Sequence, residues 1–224
     1  MLRGRVKGEC LTSASSNQNK AKRGLIYLLR HGEIENPGGG RRYIGRQDLE
    51  LNQQGREQAR FWAEQFADVD LEAIYTSPLR RCLDTAGIIG RRCGQPSEPI
   101  TALQEIDLGA WEGCRMETIR DRYPKDYARR GGAIADFRTP GGESFLDLQQ
   151  RAWPAFEGLA RRHQGSILIV THAGVIRVLI CRLLDIPLQH LFRIDQVYGG
   201  LTLVHGEPGG YRLQSLNLMS LAAI

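Results

Sequence analysis

Residues 27–39 of this chain read YLLRHGEIENPGG, and an arginine, a histidine, a glycine and a glutamate follow directly where an apolar run ends. The run begins at residue 24 as GLIYLL, which is short, apolar and bounded by turn formers, as buried strands of a parallel sheet are. EAIYTS at 72–77 and SILIVT at 166–171 have the same character. The three stretches predict strands of one parallel sheet, each followed at once by polar residues.

Segments with helical periodicity lie between these strands. From about Asn52, apolar residues recur at the spacing of a helix with one buried face, at Ala59, Trp62, Ala63 and Phe66. A second amphipathic helix follows Ser144 as its N-cap, with Asp147 in the first turn, and Pro154 is expected to kink or interrupt it. Its apolar face is formed by Phe145, Leu148, Ala152, Phe156 and Leu159. Near the end, GLTLVHGEPGGYRLQSLN predicts two strands joined by a Pro-Gly-Gly turn.

This alternation of strands and helices predicts an α/β fold, a three-layer sandwich with a mostly parallel central sheet and helices on both faces. The chain has 224 residues, of which 42% are hydrophobic, enough for one substantial core. Lys and Arg number 30 against 25 Asp and Glu, a formal net charge of +5. A charge this small is ordinary for a soluble protein, so it gives only a mild bias toward anionic partners and does not imply nucleic acid.

Cysteine usage and the N-terminal segment indicate the compartment. The five cysteines are an odd number without a C-x-x-C pair, which argues against a disulfide framework or a structural zinc site and favours reduced thiols. No stretch is long and apolar enough to span a membrane, and the first residues lack the apolar centre of a secretory signal. We expect a cytoplasmic protein with a disordered tail over residues 1–23, an organelle-targeting segment being the alternative, and one catalytic domain over 24–224.

Polar residues at the ends of the three predicted strands should meet at one edge of the sheet. Arg30 and His31 follow the first strand and His172 follows the third. After the second strand, Ser77 is a plausible N-cap and Arg80 falls in the first turn of the next helix. Ligands of open parallel sheets bind at this edge, so the sequence predicts a basic pocket for an anion. Each of these residues alone could have a structural role, but their occurrence together at the strand ends favours an anion-binding site.

Six stretches in this order resemble the histidine phosphatase superfamily, in its phosphoglycerate mutase-like branch. They are LLRHGEIE, DLELNQQGREQAR, YTSPLRRCLDTA, LQEIDLGAWEG, GGES and VTHAGVIRVL. The resemblance covers about residues 24–205. R-H-G alone recurs by chance, but the ordered set with S-P-L-x-R, E-x-D-x-G-x-W-E-G and T-H-A-G is specific.

The resemblance implies a phosphomonoester hydrolase that needs no metal or cofactor and acts through phosphohistidine. His31 would be the nucleophile, held neutral because Arg30 and Arg80 disfavour its protonated form. Glu105 would donate a proton to the leaving group and then accept one from water. The implied phosphate-binding residues are Arg30, Arg80, His172, Gly32, Ala173 and Asn36. Many members have an asparagine six residues after the nucleophile; in this chain Pro37 occupies that position and Asn36 lies one residue before it. Glu33, Glu143, Arg46 and Arg138 would support or border the pocket, although each could also be an ordinary loop residue.

The reaction and the substrate are less well defined by the resemblance, because phosphatases and mutases share this pocket. A short lid or insertion at about 112–143 favours hydrolysis of a small phosphorylated metabolite over mutase activity. RHGEIE followed by RRYIGRQDLELNQQG looks most like the alpha-ribazole phosphatases and their broad-specificity relatives. A mutase-type phosphotransferase and a non-catalytic phosphate-binding module remain alternatives. We expect a small phosphate ester as partner, no nucleic acid or membrane, and, as in many members, a homodimer.

Overall fold

A computed structural model describes residues 24–36, 38–207 and 209–223; the predicted N-terminal tail and Cys10 lie outside these ranges. The strands are β1 (Leu25–Arg30), β2 (Leu71–Thr76), β3 (Ser97–Pro99), β4 (Ser166–Thr171), β5 (Leu201–Glu207) and β6 (Gly210–Leu218). The helices are α1 (Gln53–Gln65), α2 (Arg80–Cys93), α3 (Met116–Arg122), α4 (Pro124–Gly132), α5 (Phe145–Arg162) and α6 (Ala173–Leu183). Short 3₁₀ turns occupy Thr101–Leu103, Gly109–Trp111, Leu188–Arg193 and Leu221–Ala223.

The six strands form one sheet in the order β3-β2-β4-β1-β5-β6. The first four in this order are mutually parallel, whereas β5 is antiparallel to β1 and β6 is antiparallel to β5. The predicted mostly parallel α/β sheet is therefore confirmed, and so is the C-terminal pair of strands. Because β1, β2 and β4 are neighbours in one direction, their carboxyl ends lie at the same edge of the sheet.

Alternate residues of the central strands pack into two separate cores. Ile26 and Leu28 of β1 lie in the larger core, with the buried faces of α5 and α6. Tyr27 and Leu29 point the opposite way, into the core shared with α1 and α2. A strand buried on both faces needs apolar residues at every position, which is why β1 and β4 appear in the sequence as continuous apolar runs. The three-layer sandwich follows from this two-sided burial.

Both predicted amphipathic helices form, and α5 has its predicted N-cap, Ser144. The Asn52 side chain accepts a hydrogen bond of 2.8 Å from the Gly55 N–H at the start of α1. At α5, Ser144 and Asp147 make a reciprocal capping box. Pro154 was expected to kink or interrupt this helix; the interruption is wrong, because α5 is one helix from Phe145 to Arg162, and the kink stays a prediction. Its apolar face is buried before and after the proline, and this packing holds the helix together across the missing N–H.

The start of α2 differs from the sequence expectation. Leu79, not Ser77, is its N-cap residue, and the helix begins at Arg80. The Ser77 hydroxyl contacts His172 instead, at 2.7 Å. Since each residue turns an α-helix by about 100°, a start two residues later changes which arginine faces the sheet edge.

Two further sequence expectations concern cysteines and membranes. The four cysteines within the described residues, Cys82, Cys93, Cys114 and Cys181, are free thiols. None of the helices in the described ranges has the length and apolar character needed to cross a bilayer. The segment at about 112–143, expected to form a lid, contains α3 and α4.

Candidate active site

The carboxyl ends of β1, β2 and β4 bring two histidines and an arginine together. The Arg81 Nε–H lies between the two imidazoles, 3.2 Å from Nε2 of His31 and 3.3 Å from Nδ1 of His172. The two ring centroids are 5.1 Å apart. His31 follows β1, Arg81 lies in the first turn of α2 after β2, and His172 follows β4. The predicted meeting of the strand ends at one edge explains this cluster.

The arginine of this cluster is Arg81, and the expectation that Arg80 would fill this position is wrong. The Arg80 side chain is 57% exposed and forms an ion pair of 2.8 Å with Glu50. Arg81 is 1% exposed, and its Nη1 and Nη2 atoms donate to the carbonyl oxygens of Gln47 and Gly45 at 2.7 and 2.6 Å. The later start of α2 is the reason. The arginine of the S-P-L-x-R pattern is itself residue 81, so the spacing of that motif was the signal that could have identified it.

The contacts of His31 determine which of its nitrogens can react. Nδ1 lies 2.7 Å from the Gly32 carbonyl oxygen, and because a carbonyl only accepts, Nδ1 must carry the proton. In the neutral ring Nε2 then has a lone pair, and this is the atom to which Arg81 donates. The ring is 4% exposed. His31 is therefore held with its unprotonated nitrogen facing the cluster.

Both histidines are kept neutral by their surroundings. Burial is the main cause that holds the pKa of His31 well below its ordinary value, and the charges of Arg81 and Arg30 add to it, while the Gly32 hydrogen bond opposes it. Burial likewise lowers the pKa of His172, together with the charge of Arg81. His172 accepts from Arg81 at Nδ1 and so, when neutral, donates from Nε2 to the Ser77 hydroxyl. A neutral imidazole is what a nitrogen nucleophile requires.

Arg30 lies beside His31 and is held by the loop that precedes β5. Its Nη1 donates to the Gln196 carbonyl oxygen at 2.5 Å, and its Cζ lies 3.7 Å from the ring centroid of Tyr198. Burial lowers the pKa of Arg30, and the Tyr198 and Glu105 groups oppose this shift. Within the described residues its buried Nε has no hydrogen-bond partner, and neither Arg30 nor Arg81 has a carboxylate at ion-pair distance. Two arginine charges at this edge are therefore free to stabilise an anion.

Glu105 lies at the side of the cluster, close to the start of α6. Its carboxylate accepts from the Ile106 N–H at 2.8 Å and from the Gly174 N–H at 2.9 Å. The residue is 7% exposed. A Cβ on Gly174 would lie 2.2 Å from Glu105 Oε1, so glycine is needed here for the carboxylate to reach the helix. Ala173, the first residue of α6, precedes this contact.

Glu143 and Arg46 are joined in a network with Asp107 and Arg151. Arg46 donates to Asp107 at 3.1 Å and to Glu143 at 3.0 Å. Arg151, which the sequence analysis did not single out, binds both oxygens of Glu143 at 2.9 Å. Partial burial opposes ionisation of Glu143, but hydrogen bonds from Arg151 and the Asp107 N–H prevail and lower its pKa. The expected supporting position of Glu143 and Arg46 agrees with these contacts.

Three other expected site residues have different surroundings. The Glu33 carboxylate accepts from the Asn52 side chain at 3.1 Å, so it supports the start of α1 and touches neither an arginine nor His31. Asn36 is exposed and donates to the Gly40 carbonyl of its own loop. Arg138 pairs with Asp147 through two hydrogen bonds of 2.6 Å and holds the pKa of that carboxyl at about 2. The structure does not bring these three side chains to the cluster.

Gly32 is required by packing against α1. Its N–H donates to Thr85 Oγ1 at 3.2 Å, and a Cβ at this position would lie 2.4 Å from the Gly55 carbonyl oxygen. The loop after β1 therefore runs in close contact with the first turn of α1.

Among the described residues no three His, Cys, Asp or Glu side chains are arranged to hold a metal ion.

Comparison with known proteins identifies the family of this chain. The family model for the histidine phosphatase superfamily (branch 1) matches residues 26–219. The chain is 29% identical over 195 residues to phosphoserine phosphatase 1 of Hydrogenobacter thermophilus, covering 86% of this chain and 92% of that protein. It is 33% identical over 210 residues to glucosyl-3-phosphoglycerate phosphatase of Mycolicibacterium vanbaalenii, covering 83% and 88%.

Two further matches extend this comparison. Human 6-phosphofructo-2-kinase/fructose-2,6-bisphosphatase 4 is 37% identical over 168 residues, but this chain spans only 34% of its length. Among solved structures, the alpha-ribazole phosphatase from Shigella flexneri superposes with a TM-score of 0.80 at 26% identity, covering 88% of this chain and 97% of that one.

Proposed function

The chain belongs to the histidine phosphatase superfamily and is a phosphatase, and we propose that it hydrolyses phosphomonoesters without a metal, through a phosphohistidine intermediate on His31. One observation carries the proposal. Nε2 of a buried, neutral His31 has its lone pair directed at a cluster where Arg30 and Arg81 have no carboxylate partner among the described residues. A nucleophile and the charges that a phosphoryl group needs thus stand side by side.

The proposed reaction has two steps, each with one proton transfer. First, the Nε2 lone pair of His31 bonds to phosphorus while the ester P–O bond breaks, and Glu105 in its acid form gives a proton to the leaving oxygen. Then the ionised Glu105 takes a proton from water, whose oxygen bonds to phosphorus while the N–P bond breaks and its electron pair returns to Nε2. The products are the alcohol and inorganic phosphate.

Arg81, Arg30 and His172 would stabilise the charge on the three equatorial oxygens of the transferring group. Arg81 would contribute the remaining N–H of Nη1 and of Nη2, because one N–H of each donates to a backbone carbonyl and the Nε–H lies between the two imidazoles. His172 would join them by redirecting its Nε2–H from the Ser77 hydroxyl to a phosphoryl oxygen, because its Nδ1 accepts from Arg81. Ala173 would offer a backbone N–H group, whereas the Gly32 N–H donates to Thr85 Oγ1 and Asn36 would need a different rotamer to reach the phosphate.

We propose that the substrate is a small phosphorylated metabolite. Alpha-ribazole phosphate is supported by the motif likeness and by the similarity to the Shigella enzyme. Two half-buried arginines favour instead a substrate with a second anionic group, which alpha-ribazole phosphate lacks. The Cζ atoms of Arg130 and Arg177 lie 5.8 and 5.4 Å from the ring centroid of Phe192, and the charge of Arg177 acts on Arg30 and Glu105. Burial lowers the pKa of both arginines. Phosphoserine and glucosyl-3-phosphoglycerate, named for two relatives, carry a carboxylate of this kind.

The test is phosphate release from a panel of esters in excess chelator. The panel contains alpha-ribazole phosphate, phosphoserine, 3-phosphoglycerate and p-nitrophenyl phosphate, and it is run with the wild-type protein, His31→Ala and His190→Ala. His190 lies in the turn Leu188–Arg193 and serves as the matched histidine control. We expect release that survives chelation, is lost in His31→Ala and is retained in His190→Ala.

Rapid acid and alkaline quenching of a reaction with labelled substrate tests the intermediate. A phosphohistidine is labile to acid and stable to base, so label should remain on the wild-type protein only after alkaline quenching. Release that requires an added metal, or that persists in His31→Ala, would contradict the mechanism. Label on His31 with transfer to a second substrate hydroxyl, in place of water, would identify a mutase-type phosphotransferase. Binding of phosphate without release from any ester would identify a non-catalytic module.

A further inference from the structure

We propose that Arg151 is a positioning residue that orients Glu105 for proton transfer. The proposal rests on the role of Glu105 given above and adds a residue of α5 that does not itself touch the cluster of Arg30, His31 and His172. Its basis is the set of hydrogen bonds made by the Arg151 guanidinium, one of which binds the peptide unit between Glu105 and Ile106.

All five N–H groups of the Arg151 guanidinium are used. Nε and Nη2 bind the two carboxylate oxygens of Glu143, each at 2.9 Å. Nη1 donates to the carbonyl oxygens of Ala102 and Gln104 at 2.9 and 2.8 Å. Nη2 also donates to the carbonyl oxygen of Glu105 at 2.9 Å. An arginine has five donors in a rigid fork, so this arrangement leaves none for a substrate.

The last of these contacts acts on the peptide unit between Glu105 and Ile106. The carbonyl oxygen of that unit accepts from Arg151, and its N–H, on Ile106, donates to Oε1 of the Glu105 carboxylate at 2.8 Å. Because the peptide is planar, fixing the carbonyl direction also fixes the direction of the N–H. Arg46 Nε also approaches this carbonyl oxygen, but at 3.5 Å, so the shorter bond from Arg151 is the main one that directs this donor to the Glu105 carboxylate.

The second donor to this carboxylate is independent of Arg151. Gly174 N–H binds Oε2 from the start of α6, on the opposite side. The carboxylate is therefore held between a peptide plane set by α5 and a helix start after β4. A hydrogen bond to a peptide carbonyl also strengthens the N–H of the same unit as a donor. Loss of Arg151 should leave Glu105 attached at Gly174 but free to rotate at its other oxygen.

Arg151 is suited to this task by its own fixed position. Its charge is matched by Glu143 in a bidentate pair, and the two side chains are 21% and 20% exposed. Glu143 in turn accepts from the Asp107 N–H at 3.0 Å, which holds the chain on the other side of Glu105. The helix that carries Arg151 begins with a capping box at Ser144 and Asp147. The segment from Ala102 to Asp107 is thereby tied at one end to Arg151 of α5 and at the other to Glu143, just before α5 begins.

Leaving-group dependence is the readout that separates orientation of the acid from general loss of structure. Departure of an alkyl alcohol needs the proton of Glu105, whereas p-nitrophenolate leaves without one. We compare kcat/KM, which reports the step that forms the phosphoenzyme, for glycerol 3-phosphate and for p-nitrophenyl phosphate. The variants are Arg151→Met, Arg151→Lys, Glu105→Gln, the double variant Glu105→Gln/Arg151→Met, and Arg161→Met. Arg161 is the matched control, because it lies on the same helix in an exposed pair with Glu157.

The expected result is a selective loss on the alkyl ester. Glu105→Gln should lower kcat/KM for glycerol 3-phosphate about 100-fold or more and affect the aryl ester far less. Arg151→Met should show the same selectivity, with a loss at least about tenfold larger on the alkyl ester, and Arg151→Lys should fall between it and the wild type. The double variant should be no worse than Glu105→Gln, since the two residues act as a unit. Arg161→Met should match the wild type on both esters.

Several results would overturn the proposal. One is an equal loss on both esters in Arg151→Met, as expected of a purely structural residue; another is an additive loss in the double variant. Binding of orthovanadate should stay close to that of the wild type, and its loss would place Arg151 in the phosphate pocket instead. If Arg151→Met has no cooperative thermal transition, Glu143→Gln is used in its place. This variant removes the carboxylate that holds the Arg151 guanidinium, and it must show the alkyl-selective loss. If Glu105→Gln itself lacks selectivity, the acid role in the proposed function is wrong, and this inference falls with it.

Discussion

The Nε atom of Arg81 lies 3.2 Å from Nε2 of His31. Its immediate neighbour in the chain, Arg80, turns away from the cluster and pairs with Glu50 at the surface. Two adjacent arginines thus have opposite environments, and this difference gives the most direct test of the site.

Replacement of Arg81 should abolish most activity, and replacement of Arg80 should not. Arg81→Met removes the buried donor shared by the two histidines, and loss of such a donor costs about 2.7–4 kcal/mol of barrier, or about 10²–10³ in kcat. Arg80→Met removes only an exposed ion pair, worth about 0–1 kcal/mol of stability. Steady-state kinetics on p-nitrophenyl phosphate measures both. Equal losses in the two variants would contradict the assignment.

The unfolding free energy should fall below neutral pH because two buried histidines are neutral in the folded state. Their folded pKa values lie well below the unfolded value of about 6.5, so at lower pH the unfolded chain binds more protons. Their stabilising contribution is therefore full above about pH 6.5 and is lost as pH falls from there toward the folded pKa. The limiting slope for two protons is about 2.7 kcal/mol per pH unit.

Urea unfolding of the wild type and of His172→Asn between about pH 7.5 and about pH 5.5 tests this linkage. Removal of one buried histidine should lower the slope of the unfolding free energy against pH by the equivalent of about one proton, whatever its effect on absolute stability. Carboxylates contribute equally in both proteins and cancel in the comparison. An unchanged slope would mean that His172 is already protonated in the folded protein at these pH values.

Addition of one methyl group at Gly174 should reduce activity through Glu105. The Cβ of Gly174→Ala would lie 2.2 Å from Glu105 Oε1, so the carboxylate must move away from the start of α6. We expect kcat/KM for an alkyl phosphate to fall about 100-fold, the contribution of a positioned acid. The control is Gly158→Ala in α5, where a Cβ meets nothing within 4 Å. That change should preserve activity and raise the unfolding free energy by about 0.5–1 kcal/mol.

The ring of Tyr198, and not its hydroxyl, should matter for Arg30. The guanidinium lies 3.7 Å from the ring centroid, and a cation–π contact of a desolvated arginine contributes up to about 2 kcal/mol. Tyr198→Phe should therefore keep orthovanadate affinity, whereas Tyr198→Leu should weaken it by up to about 30-fold. Isothermal titration measures both affinities. Tyr123→Leu, at a tyrosine that is 51% exposed, is the control for loss of an aromatic ring.

Much of the fold could be predicted from local pattern. The apolar runs of β1, β2 and β4 are found within one residue of their predicted positions, because strands buried on both faces must be apolar throughout. The N-cap of α5 could be predicted because Ser144 satisfies a helix N–H group within three residues of itself. The interruption expected at Pro154 does not occur, since tolerance of a proline depends on packing along the whole of α5.

The sequence by itself determined that His31 and His172 would stand at the carboxyl edge of a parallel sheet, because chain direction and strand position follow from the order of apolar runs. The S-P-L-x-R spacing singles out the second of two adjacent arginines, but only the tertiary structure decided that it lies between those histidines. It also decided that Arg151, 46 residues after Glu105, holds the peptide unit that the Glu105 carboxylate binds. Both outcomes depend on helix rotation and on donors that meet across long separations in the chain, and neither distance nor direction across the fold is encoded in local spacing.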